Sequence, residues 1–154
     1  MVHVQKIAES PKGEDIFKVT LESGPYTVQI LNLGATIQSL IVPDRDGKKR
    51  DIVLGFEDPF EYLGHSAYFG QVVGRFANRI KDATFTLNDR TYKLDANDGK
   101  NSLHSGSANW GWRLWAIEPF EWEEKPGVVL SITSQAGEGG FPGSVTATVS
   151  YLLD

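Results

Sequence analysis

The alternation of apolar and polar residues in many short segments is the strongest constraint on how this chain folds. Apolar side chains occupy every second position in residues 17–21, 26–30 and 144–153, the period of a strand with one buried face. Shorter or less regular segments of the same kind are residues 35–42, 51–54, 84–87, 90–94, 113–118 and 128–133. Since turns containing Gly and Pro separate them, they predict an antiparallel β-sandwich or barrel. We expect one all-β domain over residues 1–154, a length sufficient for its own core.

Two local signals refine this all-β prediction. Asn88-Asp89 stands between residues 84–87 and 90–94 and predicts a hairpin, because Asn and Asp tolerate the positive φ of two-residue turns. One short helix is predicted over residues 58–63, with Asp58 as its N-cap and a proline at its first position. The N-terminal residues around His3 are expected to be frayed.

Charge and cysteine content exclude several classes of function. The net charge is -5, and the one basic cluster, residues 48–50, lies among three Asp residues, so we expect no nucleic-acid partner. The chain has no Cys, which excludes disulfides and thiolate metal sites and fits a reducing compartment. The His residues are scattered and residues 44–47 lack the closing Glu of a calcium loop, so no metal is predicted. No apolar run approaches a membrane span, and we expect no membrane partner and a cytoplasmic location.

Asn78, Arg79 and His104 are the candidate functional residues. An amide both donates and accepts, a guanidinium has five donors in a fixed fork, and an imidazole has a titratable nitrogen. Such a set suits a neutral polyhydroxyl ligand such as a sugar. Each residue also has a structural alternative: Asn78 as the end of a strand, Arg79 as the partner of a carboxylate at the core edge, and His104 as a buried, satisfied histidine.

Aromatic residues are the second possible source of sugar contacts. Three of the four Trp lie within residues 110–115. We expect Trp115 and at least one other in the core, and Trp110 or Trp112 is a candidate to face a sugar ring.

Seven short motifs follow one another along almost the whole chain. They are Asn-Leu-Gly-Ala-Thr-Ile at 32–37, Val-Pro-Asp-Arg-Asp-Gly at 42–47, Asp-Ile-Val-Leu-Gly-Phe at 51–56, Tyr-Phe-Gly at 68–70, Gly-Arg-Phe-Ala-Asn-Arg-Ile at 74–80, Asn-Ser-Leu-His at 101–104 and Gly-Gly-Phe-Pro-Gly at 139–143. With these motifs the chain resembles the N-terminal half of the galactose mutarotase (aldose 1-epimerase) family, over about residues 17–153. The resemblance implies an antiparallel β-sandwich of the galactose-mutarotase type, incomplete at its C-terminal side.

The resemblance also implies an activity, the interconversion of the α and β anomers of free hexoses such as galactose or glucose, without a cofactor. A base takes the proton of the anomeric hydroxyl while an acid protonates the ring oxygen, and the opened ring recloses on its other face. The family's acid is a His just past its midpoint and its base a late Glu, and both positions fall beyond residue 154. Asn78, Arg79 and His104 match the family's sugar-holding residues, so we expect binding groups, no catalytic residue and no activity from this chain alone.

Two positions depart from the family's pattern. Ser105 follows the motif His where the family usually has Gly, and a side chain there narrows the available backbone conformations. Glu138 is the one acidic residue kept before the Gly-Phe-Pro-Gly turn.

Three functions therefore remain open: the sugar-binding half of an aldose 1-epimerase, a non-catalytic hexose-binding module, and a structural or interaction domain with a vestigial site. Residues 144–153 form a well-patterned apolar strand with nothing after it to cover its edge. Because open edges invite pairing, we expect another chain or a C-terminal half to pair with it.

Overall fold

Strands carry most of the regular structure, and the computed structural model describes all residues from Met1 to Asp154. The strands are β1 Val2–Glu9, β2 Asp15–Ser23, β3 Tyr26–Leu31, β4 Thr36–Pro43, β5 Lys49–Asp51, β6 Arg79–Ile80, β7 Thr84–Leu87, β8 Arg90–Lys93, β9 Ser102–Leu103, β10 Ala116–Trp122, β11 Lys125–Ser134 and β12 Val145–Leu152. Single 3-10 turns lie at Pro59–Tyr62, Lys81–Ala83, Gly106–Ala108, Trp110–Trp112 and Glu138–Gly140. With no α-helix and antiparallel pairing throughout, the predicted all-β class is confirmed.

Two antiparallel sheets form the main layers and enclose the core. One sheet has the order β1-β2-β3-β4-β5 and the other β10-β11-β12. Val19 and Leu21 of β2 are fully buried and belong to one cluster with Leu130 of β11, so alternate residues of facing strands fill the space between the sheets. Burying each such side chain contributes about 2 kcal/mol. The layers are also joined where the Tyr151 hydroxyl on β12 donates to the Ala35 carbonyl oxygen over 2.8 Å.

Two small sheets extend from this sandwich. The β7–β8 hairpin turns at Asn88 and Asp89, whose φ angles of 51° and 57° are the positive values predicted for a two-residue turn. The second small sheet pairs β6 with β9 and brings together the segments that carry the candidate residues.

The N-terminal segment is a strand, and the expectation of a frayed end around His3 is wrong. His3 lies opposite Thr20 in β1, which pairs with β2 along its length. The register shifts between Lys6 and Ala8, at a bulge. Because a bulge changes which face the following residues occupy, the period of two is broken inside β1 and the sequence signal is weakened.

Three predicted boundaries also differ from the structure. The strand predicted at residues 51–54 ends early, since β5 stops at Asp51 and residues 52–54 are not in a strand. The predicted strand at 113–118 begins only at Ala116, because Leu114 forms an isolated bridge with Leu33. The predicted short helix is one 3-10 turn, which the side chain of Asp58 caps as expected.

Strand β12 lies at the edge of its sheet. It pairs with β11 from Val145 to Leu152, so the terminal strand is paired on one side. Its other side has no neighbouring strand, and the side chains of Val145 and Leu152 are each 40% exposed. Pairing of this edge with another chain or with further residues stays a prediction.

Candidate functional site

The β6–β9 sheet joins two segments that are distant in the sequence. Arg79 lies opposite Leu103, and the N–H of His104 donates to the carbonyl oxygen of Asn78 over 3.0 Å. The same two residues are linked again, because the N–H of Asn78 donates to Nδ1 of His104 over 3.0 Å. The structure therefore brings Asn78, Arg79 and His104 together at one end of this sheet.

The second of these hydrogen bonds fixes the protonation state of His104. A nitrogen that accepts an N–H carries no proton, so the imidazole is neutral with its proton on Nε2. Partial burial of the ring lowers the pKa of His104, and the positive charge of Arg79 lowers it further. Both causes disfavour the imidazolium, so His104 offers a neutral Nε2–H donor.

Arg79 is held by Asp98. Its Nε donates to Oδ2 of Asp98 over 2.6 Å, and its Nη1 lies 3.4 Å from Oδ1 of Asn78. Asp98 is itself held in an isolated bridge with Asn101. The ion pair has no net charge, and the Arg79 side chain remains 55% exposed, so part of its donor fork faces solvent.

The other arginine of the motif has a structural position. Arg75 directs all five of its N–H groups to protein acceptors, at distances of 2.7–3.0 Å. The acceptors are the Ser134 hydroxyl and the carbonyl oxygens of Ser134, Gln135, Pro142 and Gly143. Arg75 thus joins the segment before β6 to the end of β11 and the turn that follows it. Residue type alone does not separate this role from that of Arg79.

Ser105 and Glu138 lie at the two places where the chain departs from the family's pattern, and both side chains make hydrogen bonds. Ser105 has a φ of 69°, a left-handed conformation that favours glycine. Its buried Oγ accepts from the N–H of Phe76 over 2.8 Å and lies 3.3 Å from the Phe76 carbonyl oxygen, so Ser105 ties the residue after His104 to the segment before Asn78. Glu138 accepts from the Ser134 hydroxyl over 2.7 Å, and this bond lowers the pKa of its carboxyl.

The clustered tryptophans divide as expected. Trp110 and Trp115 lie in the main core, 8% and 2% exposed, which confirms the prediction of two core Trp residues. Trp112 is half-buried and stacks on Tyr68, with ring centroids 5.7 Å apart and planes at 17°. Tyr68 in turn meets the edge of the His104 ring, with centroids 4.6 Å apart at 61°.

The candidate residues line an open surface. Asn78 and Arg79 are exposed and His104 is half-buried. An apolar groove of about 510 Å³ is lined by Arg79 together with Arg75, Phe76, Ile80, Phe85 and Phe141. No three His, Asp or Glu side chains are grouped so as to hold a metal ion. None of the helices is both long and apolar enough to span a membrane.

Comparison with known proteins identifies the family. The family model described as aldose 1-epimerase matches residues 18–154. The chain belongs to the aldose 1-epimerase family. A galactose mutarotase of Sus scrofa is 44% identical over 137 residues, which are 89% of this chain and 39% of that protein. An aldose 1-epimerase of Escherichia coli (strain K12) is 33% identical over 147 residues, 95% of this chain and 42% of that protein.

Solved structures of the aldose 1-epimerase family share the fold. A galactose 1-epimerase from Lactobacillus acidophilus NCFM has a TM-score of 0.88 at 26% identity, covering 100% of this chain and 45% of that chain. An aldose epimerase homologue from C. elegans has a TM-score of 0.75 at 30% identity, covering 99% and 42%. The predicted galactose-mutarotase type of sandwich is thereby confirmed. This aldose 1-epimerase family chain spans about two-fifths of the length of the curated relatives it matches.

Sequence reasoning found three of the residues at this site and missed two others. Asn78, Arg79 and His104 were selected by their motifs, and the structure places them in contact. Asp98 and Tyr68 were not selected. Asp98 is 19 positions from its partner Arg79 in the sequence and lies among other polar residues. No periodic pattern therefore distinguishes it from its neighbours. Tyr68 belongs to a motif, but nothing in the sequence connects that motif to His104.

Proposed function

We propose that this chain supplies the hexose-binding part of an aldose 1-epimerase site, with Asn78, Arg79 and His104 as the residues that hold the sugar. The observation that carries the proposal is the hydrogen bond from the Asn78 N–H to Nδ1 of His104, 3.0 Å long. It joins the two motifs into one surface and leaves Nε2–H of His104 as a donor with a defined direction.

The charge state of these groups supports a neutral ligand. The Arg79 charge is balanced by Asp98 at 2.6 Å, and His104 is held neutral, so the surface carries donors and acceptors without net charge. The Asn78 amide donates and accepts, while the free N–H groups of Arg79 and Nε2–H of His104 donate. Sugar hydroxyls act as both donors and acceptors and match such a mixed set.

The three residues are suited to binding and not to proton transfer. Arg79 does not lose its proton in proteins, and Asn78 does not titrate. The carboxylate of Asp98 is occupied by Arg79. Anomer interconversion needs a base at the anomeric hydroxyl and an acid at the ring oxygen. We assign those two steps to groups other than these three, in line with the family resemblance, and we assign galactose or glucose as the hexose.

Sugar titrations followed by NMR test the binding role. We expect saturable shifts of the Asn78 and His104 backbone amides with galactose or glucose in the high millimolar range, because an open surface buries little of a ligand. The variants Arg79→Lys and His104→Gln should each weaken the affinity about 10-fold or more, the usual cost of losing a charged or well-placed hydrogen bond.

Matched substitutions elsewhere provide the controls. Arg45→Lys changes a side chain that is 94% exposed in the β4–β5 turn, and His3→Gln changes an exposed residue of β1. Both should leave the affinity unchanged. If neither hexose shifts the amides of Asn78 or His104 at any concentration, the binding role is wrong.

A non-catalytic hexose-binding module is the second candidate. It is favoured by the hydrogen bonds that occupy the Asp98 carboxylate and Nδ1 of His104, the two groups of this cluster that could accept a proton. Polarimetry of freshly dissolved α-galactose separates the two. The 154-residue chain alone should leave the rate of mutarotation at that of water. Acceleration that is lost in His104→Gln would show that His104 transfers protons, against the division of roles proposed above. Saturable hexose binding without catalysis in the protein purified from its source cells would favour the module.

We further propose that the open edge of β12 is a pairing site, for another chain or for further residues of the same protein. Support comes from its free side and from Val145 and Leu152, each 40% exposed. A cytoplasmic location likewise remains our expectation from the cysteine-free composition, and cell fractionation tests it.

A further inference from the structure

The aromatic residues beside His104 form a chain of ring contacts that the sugar-holding role does not explain. The Tyr68 ring meets the His104 imidazole with centroids 4.6 Å apart at 61°, and it stacks on Trp112 with centroids 5.7 Å apart at 17°. Tyr68 makes no side-chain hydrogen bond to the three candidate residues, so its contact with His104 is through the ring. Edge-to-face pairs of this kind are directional and prefer a fixed angle.

We propose that Tyr68 is a positioning residue for His104, whose ring, supported by Trp112, fixes the plane of the imidazole. That the Nε2–H of His104 is directed toward a hexose rests on the proposed function. That Tyr68 fixes the plane of the imidazole does not depend on the proposed function. The hydrogen bond at Nδ1 defines one point of the imidazole and still permits the ring to tilt about the N–H···N axis. An aromatic contact on the ring removes that freedom.

Tyr68 can serve this role because its own backbone is firmly held. Its φ is 52°, an unusual value for a bulky residue and one that persists only where the surroundings impose it. The carbonyl oxygen of Gly70 accepts from the N–H of Ile37 over 3.0 Å, which attaches the turn to β4. The Gln71 side chain donates to the carbonyl oxygen of Gly111, which attaches the same turn to the segment carrying Trp112.

The surroundings of His104 agree with this role. Burial is the main cause of its lowered pKa, and the Tyr68 ring is in direct contact with the imidazole. Arg79, which is paired with Asp98, is the charged group that acts on His104. Removal of the Tyr68 ring should therefore expose His104 to water without changing these charges.

Two substitutions at Tyr68 test the proposal. Tyr68→Gly removes the ring while glycine accepts the positive φ, and Tyr68→Phe keeps the ring and removes only the hydroxyl. The first readout is the pKa of His104 from an NMR titration of the imidazole without sugar. The second is the dissociation constant for galactose. In Tyr68→Gly we expect the pKa to rise toward its ordinary value and the dissociation constant to increase about threefold to tenfold, the size of one aromatic contact.

Tyr68→Phe should leave both readouts unchanged. If Tyr68→Gly leaves the His104 pKa unchanged, the proposal is wrong. If Tyr68→Phe weakens galactose binding as much as Tyr68→Gly does, the hydroxyl contacts the ligand and the positioning role is also wrong. If Tyr68→Gly raises the pKa of His104 but the unsubstituted protein binds no hexose, the positioning role stands and the proposed function is refuted. Should Tyr68→Gly fail to fold, Tyr68→Asn, which also tolerates a positive φ, replaces it in the same measurements.

Discussion

The same conservative substitution at the two arginines of one motif should destabilise the fold by very different amounts. Arg75→Lys should destabilise the fold, because a lysine ammonium has three donors at one point and retains at most two of the five hydrogen bonds of Arg75. The loss of three such bonds, at about 1–1.3 kcal/mol each, amounts to about 3–4 kcal/mol. Arg79→Lys should cost less than about 1 kcal/mol, because it alters one exposed ion pair.

Urea unfolding followed by tryptophan fluorescence measures both values, since Trp110 and Trp115 are buried in the core. With a slope of about 2 kcal/mol per molar urea, Arg75→Lys should lower the unfolding midpoint by about 1.5–2 M at unchanged slope. Arg79→Lys should move it by less than about 0.5 M. The reasoning is refuted if the two variants have midpoints that agree within error, because the difference in hydrogen bonding at the two positions would then have no energetic consequence.

Three further predictions concern the backbone and the titration of the site. Ser105→Ala should be less stable than Ser105→Gly by about 1 kcal/mol in thermal or urea unfolding, because both lose the Oγ hydrogen bonds but only glycine relieves the φ of 69°; equal stabilities would contradict this. The lowered pKa of His104 means that the unfolded chain takes up the proton first, so its contribution to stability is complete above about pH 6.5 and is lost as the pH falls. In His104→Gln, the free energy of unfolding should therefore change less between neutral pH and about pH 5.5 than it does in the unsubstituted chain. An unchanged pH dependence would contradict this prediction. Gly74→Ala should destabilise by more than about 2 kcal/mol, because the new Cβ would overlap the Trp110 ring, and an unchanged unfolding midpoint would show that the ring moves aside.

Much of the fold follows from local patterns. The period of two in residues 17–21, 26–30 and 144–153 predicted β2, β3 and β12, and Asn88-Asp89 predicted the turn of the β7–β8 hairpin. These succeed because a side chain's face on a strand depends only on its parity along the chain. The sequence pattern did not predict strand β1, because the bulge between Lys6 and Ala8 changes which face the following residues occupy and so breaks the alternation.

The motifs of the sequence determined which residues to consider for ligand binding, and three-dimensional contacts decided what each one does. Residue type does not distinguish Arg75 from Arg79. The acceptors of Arg75 lie 59–68 positions away, and only the packing of the β11 end against the segment before β6 brings them within reach. The neutral state of His104, its contact with Tyr68 and the pairing of Arg79 with Asp98 likewise depend on distances between segments that are remote in sequence. Hydrogen bonds and ring contacts act over a few ångströms, so such roles become definite only when the fold has placed both partners.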